Sequence, residues 1–394
     1  MARFTRRTRR LRAQAAVAAT MLLALAACGG DVDAEAGKLT ERVKLISINP
    51  TTGLIAFAGS SANKGYELAI KEINQQGFLD GATVEIDFKD TKSQPQTAAQ
   101  HMSQAIAGGN YATVFGSVSS PEAVVMAPLA EKAKLPTIFT QAGSEGVVIG
   151  DYTYRATPLM SEYYPLLTEW LKNTGAKSIG IVYTGATPTL AEIGKKTLPQ
   201  MAKDLGIEVT ASVETPATTQ DFTAPISQIL KSKPDIVSVL LAGAQNATAM
   251  TQLRQAGYAG PVVGNLGAGS GNLDPAGDAG YGIVWATNFH PDMKAASTRK
   301  FVEAYKAEYG ETPLNFAAEA YDAAWFVAKA IKTAGSTEPA KIQSAMAAIA
   351  GEPFDGALGT GLRWVDRNLQ VPGAAVELTA DGEKLLYEGE PVSG

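Results

Sequence analysis

The clearest candidate for binding chemistry in this 394-residue chain is the run Gly116-Ser117-Val118-Ser119-Ser120-Pro121-Glu122. Ser120 suits a helix N-cap, and Pro121 suits the first helical position, where its missing N–H costs nothing. A helix starting there offers hydroxyls, free backbone N–H groups and the positive end of a dipole, a combination suited to a carboxylate. The same residues also serve an ordinary capped helix. A second polar, glycine-containing loop follows in Thr137-Ile138-Phe139-Thr140-Gln141-Ala142-Gly143-Ser144. Two such loops on one sheet edge could converge on one anion.

Machinery for covalent or metal catalysis is not visible. Gly143-Ser144-Glu145-Gly146 and Gly269-Ser270-Gly271 both miss the spacing of a nucleophile elbow. The two histidines, His101 and His290, fall in an amphipathic segment and near a strand end, where solvated or structural roles are expected. A single cysteine leaves no Cys/His zinc site. Gly194-Lys195-Lys196-Thr197 resembles the tail of a phosphate loop, but Thr189 stands where its first glycine belongs. Gly267-Ala268-Gly269 has Asn272 where a dinucleotide fingerprint needs its third glycine. No cofactor, metal or catalytic residue is expected, and no enzymatic activity.

The elements that must position the serine loop follow from apolar periodicity. Strands are predicted at residues 43–48, 84–88, 113–115, 137–139, 179–183, 209–213, 236–241, 261–264 and 283–287. Helical spacing lies between them. Tyr66, Ala69, Ile70 and Ile73 share a face before Gly77, and a helix from Pro95 through Met102 and Ile106 stops at Gly108-Gly109. Further helices are predicted within 163–171, 190–205, 225–230, 247–256 and 301–309. Strands separated by helices imply right-handed crossovers and mostly parallel sheets covered on both faces. Ligands in such folds sit beyond the carboxyl ends of the strands.

The N-terminus reads as an export address. Arg3, Arg6, Arg7, Arg9, Arg10 and Arg12 precede a run of 13 small and apolar residues, 15–27, too short for a bilayer core that needs roughly 20. Leu25-Ala26-Ala27-Cys28 is similar to a bacterial lipobox, whose thiol takes a diacylglyceryl group before the chain is cut ahead of it. Residues 1–27 are then a signal peptide, and 28–41 a lipidated Cys28 with a polar tether. An ordinary small-residue cut at Ala24-x-Ala26 would instead release a soluble protein. Arg9-Arg10 is followed by Arg12, so the choice between general secretion and twin-arginine export stays open.

Loss of residues 1–27 leaves 28 basic against 39 acidic residues, a net charge of −11 in place of −5, which argues against nucleic acid. About 350 residues beyond the tether are enough for two cores.

A resemblance runs through nearly the whole mature chain. It is carried by Val43-Lys44-Leu45-Ile46, Thr52-Gly53, Ala69-Ile70-Lys71-Glu72-Ile73-Asn74, the serine loop, Asp221-Phe222-Thr223, Ala320-Tyr321-Asp322-Ala323, Phe354-Asp355-Gly356 and Gly359-Thr360. In this order they resemble the leucine/isoleucine/valine-binding proteins, the type I solute-binding components of ABC importers. The resemblance implies an α/β fold of two doubly wound parallel-sheet lobes joined by a three-crossover hinge, the type I periplasmic-binding-protein fold. The crossings fall near 154–158, 287–291 and 354–364. Lobe one is then 42–156 plus 288–353, and lobe two 157–287 plus 354–394. A monomer is expected, with a small-molecule solute between the lobes and an ABC permease as membrane partner.

By the same resemblance Ser119, Ser120, Ala142 and Gly143 hold a ligand carboxylate, with Gln141 beside them and Ser144 as the nearest hydroxyl to a missing threonine. The family's ammonium-pairing acid falls at Asn265-Leu266-Gly267, and its tyrosine after the strand ending at Leu241 becomes Gln245-Asn246. The lobe-two aromatic falls at Pro188 or Thr189, with Tyr183 ending the strand before it. The lid aromatic falls at Ala58, with Phe57 alongside. Either Glu145, Asp221 or Glu319 replaces the missing acid, or the ligand is no ordinary amino acid. Gln245, Asn246 and Asn265 suit neutral polar groups. The expected function is an extracytoplasmic, lipid-anchored solute-binding protein for a branched-chain amino acid, amide or related small carboxylate. A ligand-sensing accessory of a membrane receptor is the alternative, and a cell-surface hydrolase a lesser one.

Overall fold

Strand Val43–Asn49 (β1) is buried everywhere except Lys44, as expected of a strand covered by helices on both faces. A computed structural model describes Leu39 and residues 42–390. The export segment, Cys28 and all of the tether except Leu39 lie outside the described residues, as do 391–394.

β1 pairs in parallel with Val84–Asp90 (β2) and Thr113–Gly116 (β3), and the sheet continues in parallel through Thr137–Phe139 (β4) and Thr153–Arg155 (β5). Its crossover helices are Ala56–Gln75 (α1), Pro95–Gly108 (α2) and Ser120–Ala133 (α3). Gly109 closes α2 in the left-handed conformation at φ 62°, the stop read from the Gly-Gly pair. Within the core, Tyr66 of α1 stacks on Phe115 of β3 with ring centroids 4.2 Å apart.

The chain then leaves this sheet through the short helices Met160–Tyr163 (α4) and Thr168–Thr174 (α5) and builds a second one. There Ser178–Thr184 (β6) lies between Glu208–Thr215 (β7) and Ile236–Leu240 (β8), followed by Val262–Val263 (β9) and Ile283–Thr287 (β10), all in parallel. Pro188–Glu192 (α6), a π turn over Ile193–Thr197 and Leu198–Asp204 (α7) form one crossover; Thr223–Leu230 (α8) and Gln245–Gln255 (α9) form others.

After β10 the chain returns to the first lobe with Ala296–Tyr309 (α10), Asn315–Ala334 (α11) and Pro339–Ile349 (α12). α11 packs along α1 so closely that a Cβ on Gly65 would stand 2.2 Å from the Ala317 carbonyl oxygen, which only glycine allows. Three antiparallel strands follow, Phe354–Gly356 (β11), Gly359–Val365 (β12) and Asn368–Gln370 (β13). The finished sheet has the order β11-β12-β13-β5-β4-β3-β1-β2. Ala374–Thr379 (β14) and Gly382–Glu388 (β15) complete the second sheet as β15-β14-β10-β9-β8-β6-β7. Two doubly wound α/β lobes result, the architecture that the alternation of strands and helices implies.

The division at residue 354 needs correction. Residues 354–370 belong to the first sheet, and the third passage between sheets comes after Gln370, not near 354–364. Specific bonds hold this segment there. β13 pairs with β5 at Asn368 and Arg155, and Arg155 Nη2 donates to Asn368 Oδ1 at 2.6 Å. The Asp322 carboxylate of α11 accepts from the N–H groups of Ala357 at 2.7 Å and Leu358 at 3.0 Å.

Candidate ligand-binding cleft

The carboxyl ends of β1, β3 and β4 face those of β6, β8 and β9 across a cavity of about 320 Å³. The β1–α1 turn brings Leu54, the first turn of α1 Phe57, the serine loop Ser119 and Ser120, and the loop after β4 Gln141. Phe316, at the start of α11, meets Phe57 edge to face with centroids 5.7 Å apart. From the second lobe come Thr184 at the end of β6, Thr187 and Thr189 after it, Leu241 and Gln245 after β8, and Asn265 and Leu266 after β9.

The serine loop is braced from below. Asn49 Oδ1 accepts from the Val118 N–H at 2.9 Å, and Ser117 Oγ donates to Glu122 at 2.5 Å and accepts from the Ser119 N–H at 3.0 Å. Thr91 donates to the same carboxylate, so Ser117 and Glu122 are scaffold beneath the loop. Burial pushes the Glu122 carboxyl above its usual range, and the two hydroxyls oppose that rise. The helix begins one residue earlier than the sequence suggests. Ser119 is the N-cap, Ser120 the first helical residue and Pro121 the second. This register turns Ser120 into the cleft, where its Oγ lies 3.0 Å from Thr189 Oγ1 of the opposite lobe.

Of the second loop only Gln141 reaches the cavity. Ala142, Gly143 and Ser144 do not line it, because buried Arg155 draws the loop inward: its Nη1 donates to the carbonyls of Ala142 at 3.2 Å and Ser144 at 2.8 Å. Ala142 sits in an apolar cluster with Phe139 and Val147, and Gly143 accepts from the Met160 N–H. Gln141 itself is fixed, donating to the Tyr163 hydroxyl at 3.1 Å and accepting from Asn315 at 2.8 Å.

Tyr183 and Asn246 also lie off the cavity. Successive residues of a strand face opposite ways, and it is Thr184 that faces the cleft. Tyr183 packs against Gly194, where a Cβ would come within 2.6 Å of the ring, and donates to Glu214 at 3.2 Å. Glycine in Gly194-Lys195-Lys196-Thr197 therefore makes room for a tyrosine. Asn246 is fully buried and donates to the carbonyls of Leu241, Gly243 and Gly267. Asn265 and Gln245 do line the cavity, with their amides already engaged. Asn265 donates to Leu241 O at 3.1 Å and accepts from the Gly267 N–H at 2.7 Å; Gln245 donates to the carbonyls of Ala217 and Thr219.

A family model described as periplasmic binding protein matches residues 42–383. The chain belongs to the periplasmic binding protein family. Leu/Ile/Val-binding protein homolog 7 of Brucella abortus is 25% identical over 365 residues, covering 86% of this chain and 88% of that protein. A leucine binding protein from Thermotoga maritima has a similar structure, with a TM-score of 0.80, 25% identity and coverage of 89% and 99% of the two chains. A solute binding protein of an ABC transporter from R. palustris, in complex with benzoate, has the same fold at a TM-score of 0.78 and 22% identity, over 89% and 97%.

In this periplasmic binding protein none of the three candidate acids lines the cavity. Glu145 is exposed. Asp221 is exposed and sits two residues before α8, accepting from the Thr223 N–H at 2.9 Å and from Gln252. Glu319 is fully buried behind Gln141, accepting from Asn288 at 2.6 Å and Asn315 at 3.1 Å, and burial pushes it up to about 8. Asn288 also donates to Thr157 at 2.9 Å, so this carboxyl ties together the first two passages between lobes. His290 is likewise buried, its Nδ1 accepting from the Asp292 N–H, and His101 contacts the Asp90 carbonyl; both are structural.

Thr184, Thr187, Thr189 and Phe316 were not among the residues expected to touch a ligand. Thr189 carried a signal, being one of the positions where the family's aromatic is replaced. Phe316 carried none, because no helix was expected at 315–334.

Proposed function

We propose that this protein is a solute receptor outside the cytoplasm, closing two lobes over a small carboxylate and delivering it to an ABC permease, with Cys28 lipidated to hold it at the membrane. The observation that carries the reading is the cavity walled by both lobes and spanned by the Ser120–Thr189 contact. A solute seated between the serine loop and the threonines touches both lobes only when they are closed, so it binds that state more tightly and shifts the population toward it. The 14-residue helix α3 points its N-terminal end at the site, favouring an anionic group there. The named specificity of the Brucella and Thermotoga relatives supports an amino-acid-sized solute. No helix among the described residues is long and apolar enough to cross a membrane, which is consistent with attachment through a lipid.

Native mass spectrometry of the purified protein, followed by small-angle scattering with the released compound, tests this reading. A retained small carboxylate that compacts the emptied protein supports it. An absence of any bound compound, together with no compaction across a broad panel of amino acids, amides and carboxylates, would remove it.

A further inference from the structure

We infer that the cleft is built for a monocarboxylate with an apolar body and no ammonium group. This rests on the solute-binding reading above and narrows it to one chemical class.

No charged side chain lines the cavity among the described residues. An α-ammonium enclosed there would lose water and find no counter-charge, a heavy penalty for a buried ion. The amides that might have softened it are not available. Gln245 and Asn265 direct their groups to loop carbonyls and N–H groups. The hydroxyls of Ser119, Ser120 and Thr189 lie at the N-terminal end of α3, and those of Ser93, Thr184 and Thr187 also line the cavity. That arrangement favours one anionic group at one end of the cavity.

Of the acid and the base behind Gln141, Glu319 is pushed up to about 8 by burial, which favours its neutral form, and Arg155 carries the sign that suits an anion. Arg155 is buried behind Gln141 and donates to the carbonyls of Ala142 and Ser144 and to the Asn368 amide oxygen, all neutral partners, so its charge is offset only at longer range, by Glu162 and Glu192. Glu122, the acidic group beneath the serine loop, opposes an anion, but Thr91 and Ser117 both donate to it. Away from the serine loop the walls are mainly apolar, interrupted by Ser93, Thr184 and the engaged amides of Gln141, Gln245 and Asn265. Phe57 and Phe316 form one side, and Leu54, Leu190 and Leu241 contribute to the rest. At about 320 Å³ the space is near the lower end of small-molecule pockets, roughly 300 Å³, and suits a compact aryl or branched alkyl group. The benzoate complex of the R. palustris protein shows that the same fold accommodates such an acid.

The test is calorimetry on the emptied full-length protein with matched compounds: leucine, 4-methylpentanoate and 4-methylpentanamide, then phenylalanine, 3-phenylpropanoate and its amide. In at least one series the free acid is expected to bind roughly tenfold or more tighter than its amino acid and its amide. Equal or tighter binding of an amino acid or an amide overturns the inference while leaving a solute-binding protein. Failure of all these compounds, with no small molecule released on denaturation, overturns both. Thr187→Asp supplies an independent arm. Thr187 is the N-cap of α6, a position that accepts aspartate, so the fold should tolerate a new charge at the cleft. The variant should lower affinity for the acid and shrink its advantage over the amino acid; an unchanged ratio would overturn the electrostatic basis.

Discussion

Ser120 Oγ and Thr189 Oγ1, on opposite lobes and 69 residues apart in sequence, lie 3.0 Å from each other across the cleft. Both residues are nearly excluded from solvent, at 6% and 3% exposure, and because they belong to different lobes the contact exists only when the lobes meet. Ser120→Ala should weaken binding of a carboxylate by about 1–3 kcal/mol if the hydroxyl bonds the ligand. Thr189→Ala should act through the same contact, making the double mutant less than additive. Calorimetry on the single and double variants checks this, and strict additivity would show that the pair does not act together.

Asp322 explains why two parts of the sequence that carry the family resemblance occur together. Ala320-Tyr321-Asp322-Ala323 and Phe354-Asp355-Gly356 meet where the Asp322 carboxylate accepts two N–H groups from the β11–β12 turn. Gly356 leaves room for it, since a Cβ there would come within 2.4 Å of Oδ1. Asp322→Asn replaces one acceptor with a donor and should cost about 1–3 kcal/mol of stability with little change in ligand affinity. Chemical denaturation alongside calorimetry separates the two; an affinity loss larger than the stability loss would count against a structural role.

Glu319 predicts a pH dependence with a definite sign. Burial raises its carboxyl to about 8, and Asp322, also buried, to about 7, whereas in the unfolded chain both titrate near their ordinary values of about 4. Between those values the folded protein holds protons that the unfolded chain has released. Stability is therefore greatest below the unfolded pKa and falls as pH rises toward about 8. Tyr66 and Tyr163 also face Glu319 and stay neutral throughout, both raised mainly by burial. Glu319→Gln should match the wild type near pH 5 and melt at a higher temperature near pH 8. Parallel melting curves for the two proteins across that range would contradict the assignment.

The alternating strands and helices were legible because each carries its own apolar period. β1 is apolar at four of its seven positions and buried at all but Lys44, and Gly108-Gly109 marks a helix end through its backbone alone. The side-chain environment of the cleft was less so. Whether Tyr183 or Thr184 enters it depends on strand parity relative to the neighbouring lobe. Asn246 and Asn265 look like free ligand groups until the β8 and β9 loops are brought together, when each amide meets a carbonyl far along the chain. The placement of 354–370 was hidden because pairing of Asn368 with Arg155 spans more than two hundred residues and leaves no local pattern.

Cys28 carries the last prediction, which concerns location. It lies outside the described residues, but its setting is explicit: six arginines, a short apolar run, the single thiol of the chain, then Gly29-Gly30 and a charged tether. If that thiol takes a lipid, attachment needs nothing from the two-lobed body, and position at the membrane is separable from binding. Cys28→Ser should move the protein from the membrane fraction into the soluble or secreted one while leaving affinity for its solute unchanged. Fractionation with metabolic labelling by a fatty-acid analogue reads the first effect and calorimetry the second. If the variant stayed in the membrane fraction, an anchor elsewhere would be required. A wild-type protein already soluble and unlabelled would instead favour cleavage at Ala24-x-Ala26, which frees the same receptor from the surface.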